Sequence, residues 1–359
     1  MSEINNGQQL TQFEESEYNK ILLCSNFYLN IYSAFEQAII EKLLLNNFYR
    51  KNYVHYEFIQ HDKLDKVKEN DSYIALVVMG NFILDKTLID NIHKYKILYP
   101  LSKIIGMNLS TKINDNISNI VNNTCVLTTQ DNFKDDLHVF DLLYLNNERD
   151  YDLLKFDNNN VYYLPDIIYL SKIITNKLDI LNRNIVSIVF SEYDFNLLSP
   201  YKQDIFVENI IKNIQYLINK KYKIYFIPQT MIPHNNSNIL LYTIYNKLSC
   251  NIKKHIKVQC NLNNIFYKLH KSKFIIGMNY EMTCISVILN KPFVIVDTNE
   301  QTKDYMHRHN LDKLYCDSSE LNDHTDYLIN HRQKIKKHLY VLYKKNHSES
   351  QIYKHIRLI

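Results

Sequence analysis

The chain has 359 residues, of which 46% are hydrophobic and 22% are charged, proportions typical of a globular protein and unlike those of a disordered one. Its 42 basic and 38 acidic residues leave a net charge of +4, too small to indicate a nucleic-acid partner. The longest apolar run, from Tyr73 to Gly80, is far shorter than the ~20 residues of a membrane span.

Cysteine spacing and the N-terminal segment indicate the cellular compartment of the protein. The cysteines show no C-x-x-C pair and no Cys/His ligand spacing, so we expect reduced thiols and no metal site. The first 20 residues are polar and acidic, unlike a signal peptide, and we expect a cytoplasmic protein. The chain also lacks G-x-G-x-x-G, P-loop and G-x-S-x-G strings. The cysteines are Cys24, Cys125, Cys250, Cys260, Cys284 and Cys316.

In the first half of the chain, short apolar segments alternate with segments of helical periodicity. This alternation predicts a parallel sheet covered by helices. Helices are predicted over 33–48 and 82–93. Strands are predicted at 21–29, 54–60, 72–80, 102–110 and 123–129, and the stretch 138–171 adds a strand, a short helix and a strand ending at Pro165-Asp166.

A second series of the same kind follows after 172–183, which we interpret as the crossing between domains. Two such series predict an α/β fold with two Rossmann-like domains whose parallel sheets face a cleft. Its predicted elements are strands at 184–190, 222–228, 256–259, 274–276 and 293–296, with helices at 205–221, 238–248 and 283–289. The predicted divisions are a polar arm 1–19, domains 20–175 and 184–325, and a basic C-terminal helix 326–359.

The stretch KSKFIIGMNYEMTCISVILNKPFVIVD, 271–297, reads as strand, turn, helix and strand. Gly277 is one of only four glycines, which predicts a turn with unusual backbone angles there. In parallel sheets, ligands bind beyond the carboxyl ends of the strands, next to helix N-termini. Asn279, Tyr280 and Glu281 fall at such a place, although ordinary loop residues are an equally good interpretation.

A basic amphipathic helix is predicted near the C-terminus, over 331–357. Its apolar stripe of Ile335, Leu339 and Leu342 favours packing on the body of the protein over contact with a membrane surface or a polyanion.

Several strings, in this order, resemble the polysaccharide pyruvyl transferase family from about Ile21 to Cys316. They are NIYSAFEQAIIEKLL, DSYIALVVMGNFILDK, SKIIGMNL, NNERDYDLLKFDNNNVYYLPDII, YKIYFIPQ and the stretch 271–297, which is similar to the family's G-x-R-x-H block. The resemblance implies two Rossmann-like domains in a GT-B-type arrangement. It also implies a transferase of glycan biosynthesis that transfers an enolpyruvyl-derived group from phosphoenolpyruvate, its donor substrate, to a sugar, forming a pyruvate ketal without a further cofactor. The acceptor would be a sugar or glycan, nucleotide- or polymer-linked, and the oligomeric state stays open.

The sequence departs from the family at the residues that carry the chemistry. With the family's glycine on Gly277, its arginine falls on Asn279 and its histidine on Glu281. Its glycine–aspartate pair is replaced by Tyr32-Ser33. A carboxylate would repel phosphoenolpyruvate, so that ligand requires a neighbouring cation.

The candidate site follows from this residue-by-residue correspondence. Glu281 and Lys303 are the candidate catalytic residues, Lys303 because it lies close to the family's lysine position and could supply the missing cation. The candidate substrate-binding residues are Gly80, Asn81, Arg149, Gln229, Gly277, Asn279 and Arg308.

Three hypotheses are compatible with the sequence. The first is a pyruvyl transferase with an altered site. The second is a nucleotide-sugar-dependent glycosyltransferase on the same frame, in which Glu281 binds donor hydroxyls. The third is a catalytically silent descendant that acts as a binding or scaffold protein, because one fold carries many functions.

Overall fold

A computed structural model of the chain shows two parallel β-sheets flanked by helices, which confirms the predicted α/β fold with two Rossmann-like units. Residue 39 is described singly. The other described ranges are 19–25, 54–67, 73–80, 83–84, 86–111, 136–156, 159–171, 184–229, 231–232, 235–236, 238–259, 265–296 and 300–351.

The first sheet has the strand order β2-β1-β3-β5-β6-β7, and every neighbouring pair is parallel. A parallel sheet covered on both faces requires nearly continuous apolar strands. The third strand meets this requirement, since Ala75 to Val78 are all fully buried. The strands are β1 Asn19–Ser25, β2 Val54–Gln60, β3 Tyr73–Met79, β4 Ile83–Leu84 (paired with β5), β5 Lys103–Thr111, β6 Leu142–Leu145 and β7 Val161–Tyr163.

The second sheet is also parallel, with the order β12-β9-β8-β13-β14-β15. A separate antiparallel pair joins β10 to β11. The strands are β8 Ile185–Val189, β9 Lys223–Phe226, β10 Met231–Ile232, β11 Asn235–Asn236, β12 Ile256–Val258, β13 Phe274–Gly277, β14 Phe293–Val296 and β15 Tyr315–Cys316.

Helices pack on both sheets, and one of them spans the two domains. Among the described residues, none is long and apolar enough to cross a membrane. The helices are α1 Lys86–Leu98, α2 Glu148–Leu154, α3 Glu192–Asn196, α4 Pro200–Asn219, α5 Asn238–Lys247, α6 Cys250–Lys253, α7 Ile265–Lys271, α8 Asn279–Ile288, α9 Glu300–Arg308 and α10 Leu321–Ser350.

The order in which strands are added to the second sheet reverses between β8 and β13, although these two strands are parallel. From β8 the chain adds β9 and β12 on one side and then returns to add β13, β14 and β15 on the other. Connections leaving β8 and β13 therefore diverge and leave a crevice at the carboxyl ends of these strands. This crevice is where a ligand of such a sheet is expected.

Helix α10 packs against both domains. The predicted stripe of Ile335, Leu339 and Leu342 is buried, as expected. Near its end, the Tyr343 hydroxyl donates to the carbonyl of Ser171 at 2.7 Å, and His347 Nδ1 donates to the carbonyl of Tyr169 at 2.6 Å. The helix thereby ties the second sheet to the segment that follows the first.

Several predicted boundaries shift. Helix α8 begins at residue 279, four residues before its predicted start, and α1 covers 86–98 where 82–93 was predicted. Helix α7 was not predicted. The predicted strand at 123–129 and the domain crossing at 172–183 lie outside the described residues, as does the helix at 33–48 apart from residue 39, so the domain boundaries stay a prediction.

The prediction that Gly277 provides unusual backbone angles in this turn is wrong. The positive backbone angle in this turn belongs to Asn279, with φ 66°, and not to the glycine. A Cβ at position 277 would lie 3.0 Å from the Cβ of Met282 and 3.3 Å from Cδ1 of Ile295. The glycine is therefore required because α8 and β14 approach the strand closely.

Candidate functional site

The carboxyl ends of three adjacent strands bring four polar side chains together. Asp194 lies in α3, just after β8, and Gln229 follows β9 by three residues. Asn279 and Glu281 lie in the first turn of α8, which follows β13. Strands β9, β8 and β13 are neighbours in the sheet, so these four residues meet at the crevice.

These side chains form a continuous hydrogen-bonded chain. Asn279 Nδ2 donates to Asp194 Oδ2 at 2.8 Å and to Gln229 Oε1 at 3.2 Å. Gln229 Nε2 in turn donates to Glu281 Oε2 at 2.6 Å. Carboxylates at both ends accept, so both amide groups can take only one orientation. The Asp194 and Glu281 carboxylates therefore fix the direction of the network, which we call the amide chain.

The backbone of Asn279 explains why an asparagine occupies this turn. Its left-handed conformation is one that asparagine tolerates better than most non-glycine residues. Its side-chain Oδ1 accepts from the backbone N–H of Met282 at 3.3 Å, which satisfies one of the unpaired donors at the start of α8. A single asparagine thus shapes the turn, caps the helix and donates within the amide chain.

Asp194 is the buried end of the amide chain, with 5% of its surface exposed. Burial raises the pKa of this carboxyl, while hydrogen bonds from Asn279 and Ser191 act in the opposite direction. Ser191 also begins α3, where its Oγ accepts from the backbone N–H of Asp194 at 3.3 Å. The position of Asp194 is therefore fixed from both sides.

Glu281 is the accessible end of the same chain. Asp194, Gln229 and Asn279 are buried, whereas Glu281 is partly exposed. A ligand entering the crevice would meet this carboxylate first. Chemically, it can accept hydrogen bonds from hydroxyl or N–H groups in an orientation held by Gln229.

The remaining predicted residues are more widely distributed. Gly80 follows β3 with φ 132° and donates its N–H to the carbonyl of Met107 at 3.3 Å, and Asn81 lies outside the described residues. Arg149 lies in the first turn of α2. Lys303 Nζ lies 5.8 Å from the centroid of the Tyr315 ring, beside the edge strand β15.

Arg308 contributes to a second polar region, between the domains. Its Nη1 lies 3.5 Å from Glu148 Oε2 across the domain boundary. The hydroxyls of Tyr169, from the segment that follows the first sheet, and of Tyr305, from α9, are hydrogen-bonded to each other. These side chains line a pocket together with Asn146, Asn147, Tyr163, Pro165, Asp166, Tyr280, Asp304, His309 and Asn346.

Burial dominates the proton affinities around this interdomain pocket. It raises the pKa of Tyr169, Tyr305 and Cys284 well above their usual ranges. It lowers the pKa of His309 to about 4, with the nearby charges of Lys345 and Arg308 acting in the same direction. These groups are neutral at pH 7, so they hold the domains together by packing and hydrogen bonding. Asp166, which follows β7, accepts from the backbone N–H of Ile168 at 3.1 Å and caps the short helical turn that begins there.

The sequence named Gln229, Asn279 and Glu281 as separate candidates, and the structure brings them together with Asp194, which sequence analysis missed. The available signal was the string SEYD after an apolar strand, in which Ser191 starts a helix and a carboxylate follows three residues later. That pattern is typical of helix capping, so it predicted structure without indicating a site.

No protein-family model matches the chain, and no curated protein sequence matches it. Several solved structures are similar to it in fold. The S. aureus MnaA–UDP co-structure aligns with a TM-score of 0.59 at 11% identity, over 89% of this chain and 90% of that one. UDP-GlcNAc 2-epimerase from Methanocaldococcus jannaschii, in complex with UDP-GlcNAc and UDP, gives 0.58 at 11% identity, over 87% and 93%. The Neisseria meningitidis UDP-GlcNAc 2-epimerase bound to UDP-GlcNAc gives 0.58 at 9%, over 93% and 98%.

These similarities extend over both domains of each structure and establish the fold. The GT-B-type frame expected from the resemblance is therefore confirmed, whereas membership of the pyruvyl transferase family is not shown. At 9–12% identity, function has to be argued from the site itself.

Proposed function

We propose that this protein is an enzyme of glycan biosynthesis that binds a nucleotide sugar in the crevice of its second domain and transfers the sugar to a glycan acceptor. The observation that carries the proposal is the amide chain. It presents the Glu281 carboxylate at the carboxyl edge of the sheet and holds it at 2.6 Å from Gln229. Ligands of doubly wound sheets bind at this kind of crevice.

The chemistry of the amide chain suits a hydroxyl-rich ligand. A carboxylate accepts strong, charge-assisted hydrogen bonds from ribose or sugar hydroxyls. Two carboxylates within one hydrogen-bonded network make the crevice less suitable for a dianion such as phosphoenolpyruvate. The solved structures of similar fold add support, since they contain UDP or UDP-GlcNAc.

In this proposal the residues have separate roles. Glu281 contacts the donor hydroxyls, Gln229 orients that carboxylate, and Asn279 and Asp194 hold Gln229 in the required amide orientation. The first three were candidates from the sequence, and Asp194 is an addition. The acceptor is a sugar or glycan approaching from the side of the first domain.

Pyruvyl transfer from phosphoenolpyruvate is the second candidate. The resemblance of strings over most of the chain supports it, as does the location of Arg308 in the interdomain pocket, where a cation could attract an anionic donor. This candidate requires that Lys303 or Arg149 neutralise the carboxylate of Glu281, because an unpaired carboxylate would oppose binding.

Calorimetric titration separates the two candidates. Wild type, Glu281→His and Lys303→Ala are titrated with UDP- and GDP-sugars and with phosphoenolpyruvate, and exposed Glu208→Gln serves as the matched control. Nucleotide-sugar binding should be weakened in Glu281→His, which removes the carboxylate acceptor, and kept in Lys303→Ala and Glu208→Gln.

The opposite pattern supports pyruvyl transfer. Phosphoenolpyruvate would then bind to the wild type in the titration. An assay of pyruvyl transfer on the same variants would find the activity kept or increased in Glu281→His and abolished in Lys303→Ala. If the wild type binds none of these ligands, both enzymatic proposals are wrong and the scaffold hypothesis is retained.

A further inference from the structure

A groove lies at the amino-terminal edge of the second sheet, opposite the edge that carries Glu281. Tyr222 precedes β9 and Lys273 precedes β13, so both lie where these parallel strands begin. The middle of α10 forms the other wall. The groove encloses about 830 Å³, including the part open to solvent, and is lined by Tyr222, Lys273, Phe274 and 329–334.

The charges lining this groove are all of one sign. Lys273, Arg332 and Lys334 contribute three cations, His331 adds a titratable ring, and none of the described lining residues is acidic. The nearest acidic residue along α10, Asp326, accepts hydrogen bonds from Lys220 and Tyr216 and is thereby engaged elsewhere. The groove therefore has an excess of positive charge, although the whole chain carries only +4.

Arg332 provides the second observation. Its Nε is buried from solvent, and no described protein atom accepts a hydrogen bond from it. Arg332 as a whole is partly exposed, but a buried N–H donor without an acceptor is costly, and an anionic ligand in the groove would satisfy it. Lysines at helix C-termini can be explained by the helix dipole, but Arg332 lies near the middle of the 30-residue helix α10.

The neighbouring groups are held in place for such a ligand. Lys273 Nζ donates to Asn184 Oδ1 at 3.2 Å and lies 5.1 Å from the centroid of the Tyr222 ring. The His331 ring stacks on Tyr327 with centroids 4.3 Å apart. Side chains fixed in this way lose less conformational entropy when they bind.

We propose that this groove binds a phosphate-type oxyanion, with the Arg332 guanidinium as the main contact and Lys273 and Lys334 as supporting charges. A guanidinium binds phosphate oxygens through parallel N–H donors, and a phosphate at this arginine would supply the acceptor that Nε lacks. The phosphate could be a free ion or part of a lipid headgroup, and both present the same oxygens. This site is independent of the nucleotide-sugar crevice, which lies at the other end of the strands.

Isothermal titration calorimetry with inorganic phosphate, against chloride at matched ionic strength, tests the proposal. Arg332→Gln should weaken phosphate binding roughly tenfold or more. The affinity of Arg332→Lys should lie between those of the wild type and Arg332→Gln, because lysine keeps the charge but cannot donate two parallel hydrogen bonds. Lys337→Gln, an exposed charge loss on the same helix, is the matched control and should change affinity less than about twofold. Lys273→Gln provides a second groove variant, and a UDP-sugar titration checks that the crevice is intact.

Cosedimentation with vesicles distinguishes the two sources of phosphate. The site belongs to lipid headgroups if phosphatidylglycerol vesicles retain the wild type and Lys337→Gln but not Arg332→Gln. Phosphatidylcholine vesicles should then retain none of the three proteins. Phosphate binding without vesicle binding would assign it to the free ion. The proposal is overturned if neither probe binds, or if Lys337→Gln weakens binding as much as Arg332→Gln does.

Discussion

Gln229 and Glu281 are 52 residues apart in sequence, and their side chains lie 2.6 Å apart at the carboxyl edge of the second sheet. The Oε1 of Gln229 accepts from Asn279, and this bond orients the amide group so that its Nε2 faces the carboxylate. The orientation of the exposed carboxylate is therefore set by buried neighbours.

Replacing Gln229 by leucine should destabilise the protein by about 1–3 kcal/mol, because Asn279 and Glu281 each lose a hydrogen-bond partner in a buried region. Urea denaturation measures the change. Gln333→Leu, at an exposed position, is the control and should change stability by less than about 0.5 kcal/mol. Equal effects of the two substitutions would contradict the structural role of the amide chain.

Gly277→Ala should cost about 1–3 kcal/mol of unfolding free energy, since the added methyl would lie 3.0 Å from the Cβ of Met282. The backbone of α8 would have to move away from β13. Thermal and urea denaturation both report the loss, and Ser348→Ala at an exposed position of α10 is the reference. A stability unchanged within ~0.3 kcal/mol would show that α8 shifts without cost.

Tyr305→Phe should lower stability by about 1 kcal/mol, because the buried Tyr169 hydroxyl loses one of its hydrogen-bond partners. Tyr340→Phe removes a hydroxyl from a side chain that is 44% exposed and should have little effect. The double variant Tyr169→Phe/Tyr305→Phe should cost less than the sum of the single variants, because both single changes break one bond. Strict additivity would show that the two hydroxyls are not coupled.

His309 should make folding less favourable at low pH. Its pKa is about 4 in the folded protein against 6.5 ordinarily, so between these values the unfolded chain binds the proton and the folded one does not. Stability then falls as pH is lowered from about 6.5 towards 4.

The variant His309→Gln should remove this part of the pH dependence. Its unfolding free energy relative to wild type should rise as pH decreases through that window. Chemical denaturation at a series of pH values measures it, and the exposed His93→Gln is the control. A difference between His309→Gln and wild type that is constant with pH would exclude this role of His309.

The ion pair between Arg308 and Glu148 should contribute little. The two side chains are 32% and 55% exposed, and exposed pairs are typically worth about 0–1 kcal/mol. Glu148→Gln should therefore shift the unfolding midpoint only slightly, and the shift should vanish at high salt. A loss above about 2 kcal/mol, independent of salt, would indicate that this pair controls domain association.

Apolar runs and their spacing, which are local properties, were sufficient to predict the strands at 54–60 and 293–296 and the helix beginning near 238. The rule that ligands bind at the carboxyl ends of parallel strands then named Gln229 and Glu281 separately as candidates, and the structure shows that their side chains are hydrogen-bonded to each other. The sequence by itself thus determined the fold class, and it indicated the carboxyl edge of the second sheet as the place where a site is expected.

Only the tertiary structure decided which further residues join them. Asp194 belongs to the network because β8 lies between β9 and β13, a strand order that no local pattern encodes. The positive φ of this turn belongs to Asn279, whereas the glycine at position 277 is required by the close packing of α8 and β14 against β13. Periodicity is a property of one segment, whereas contacts between segments depend on strand order and packing, which are set by the whole chain.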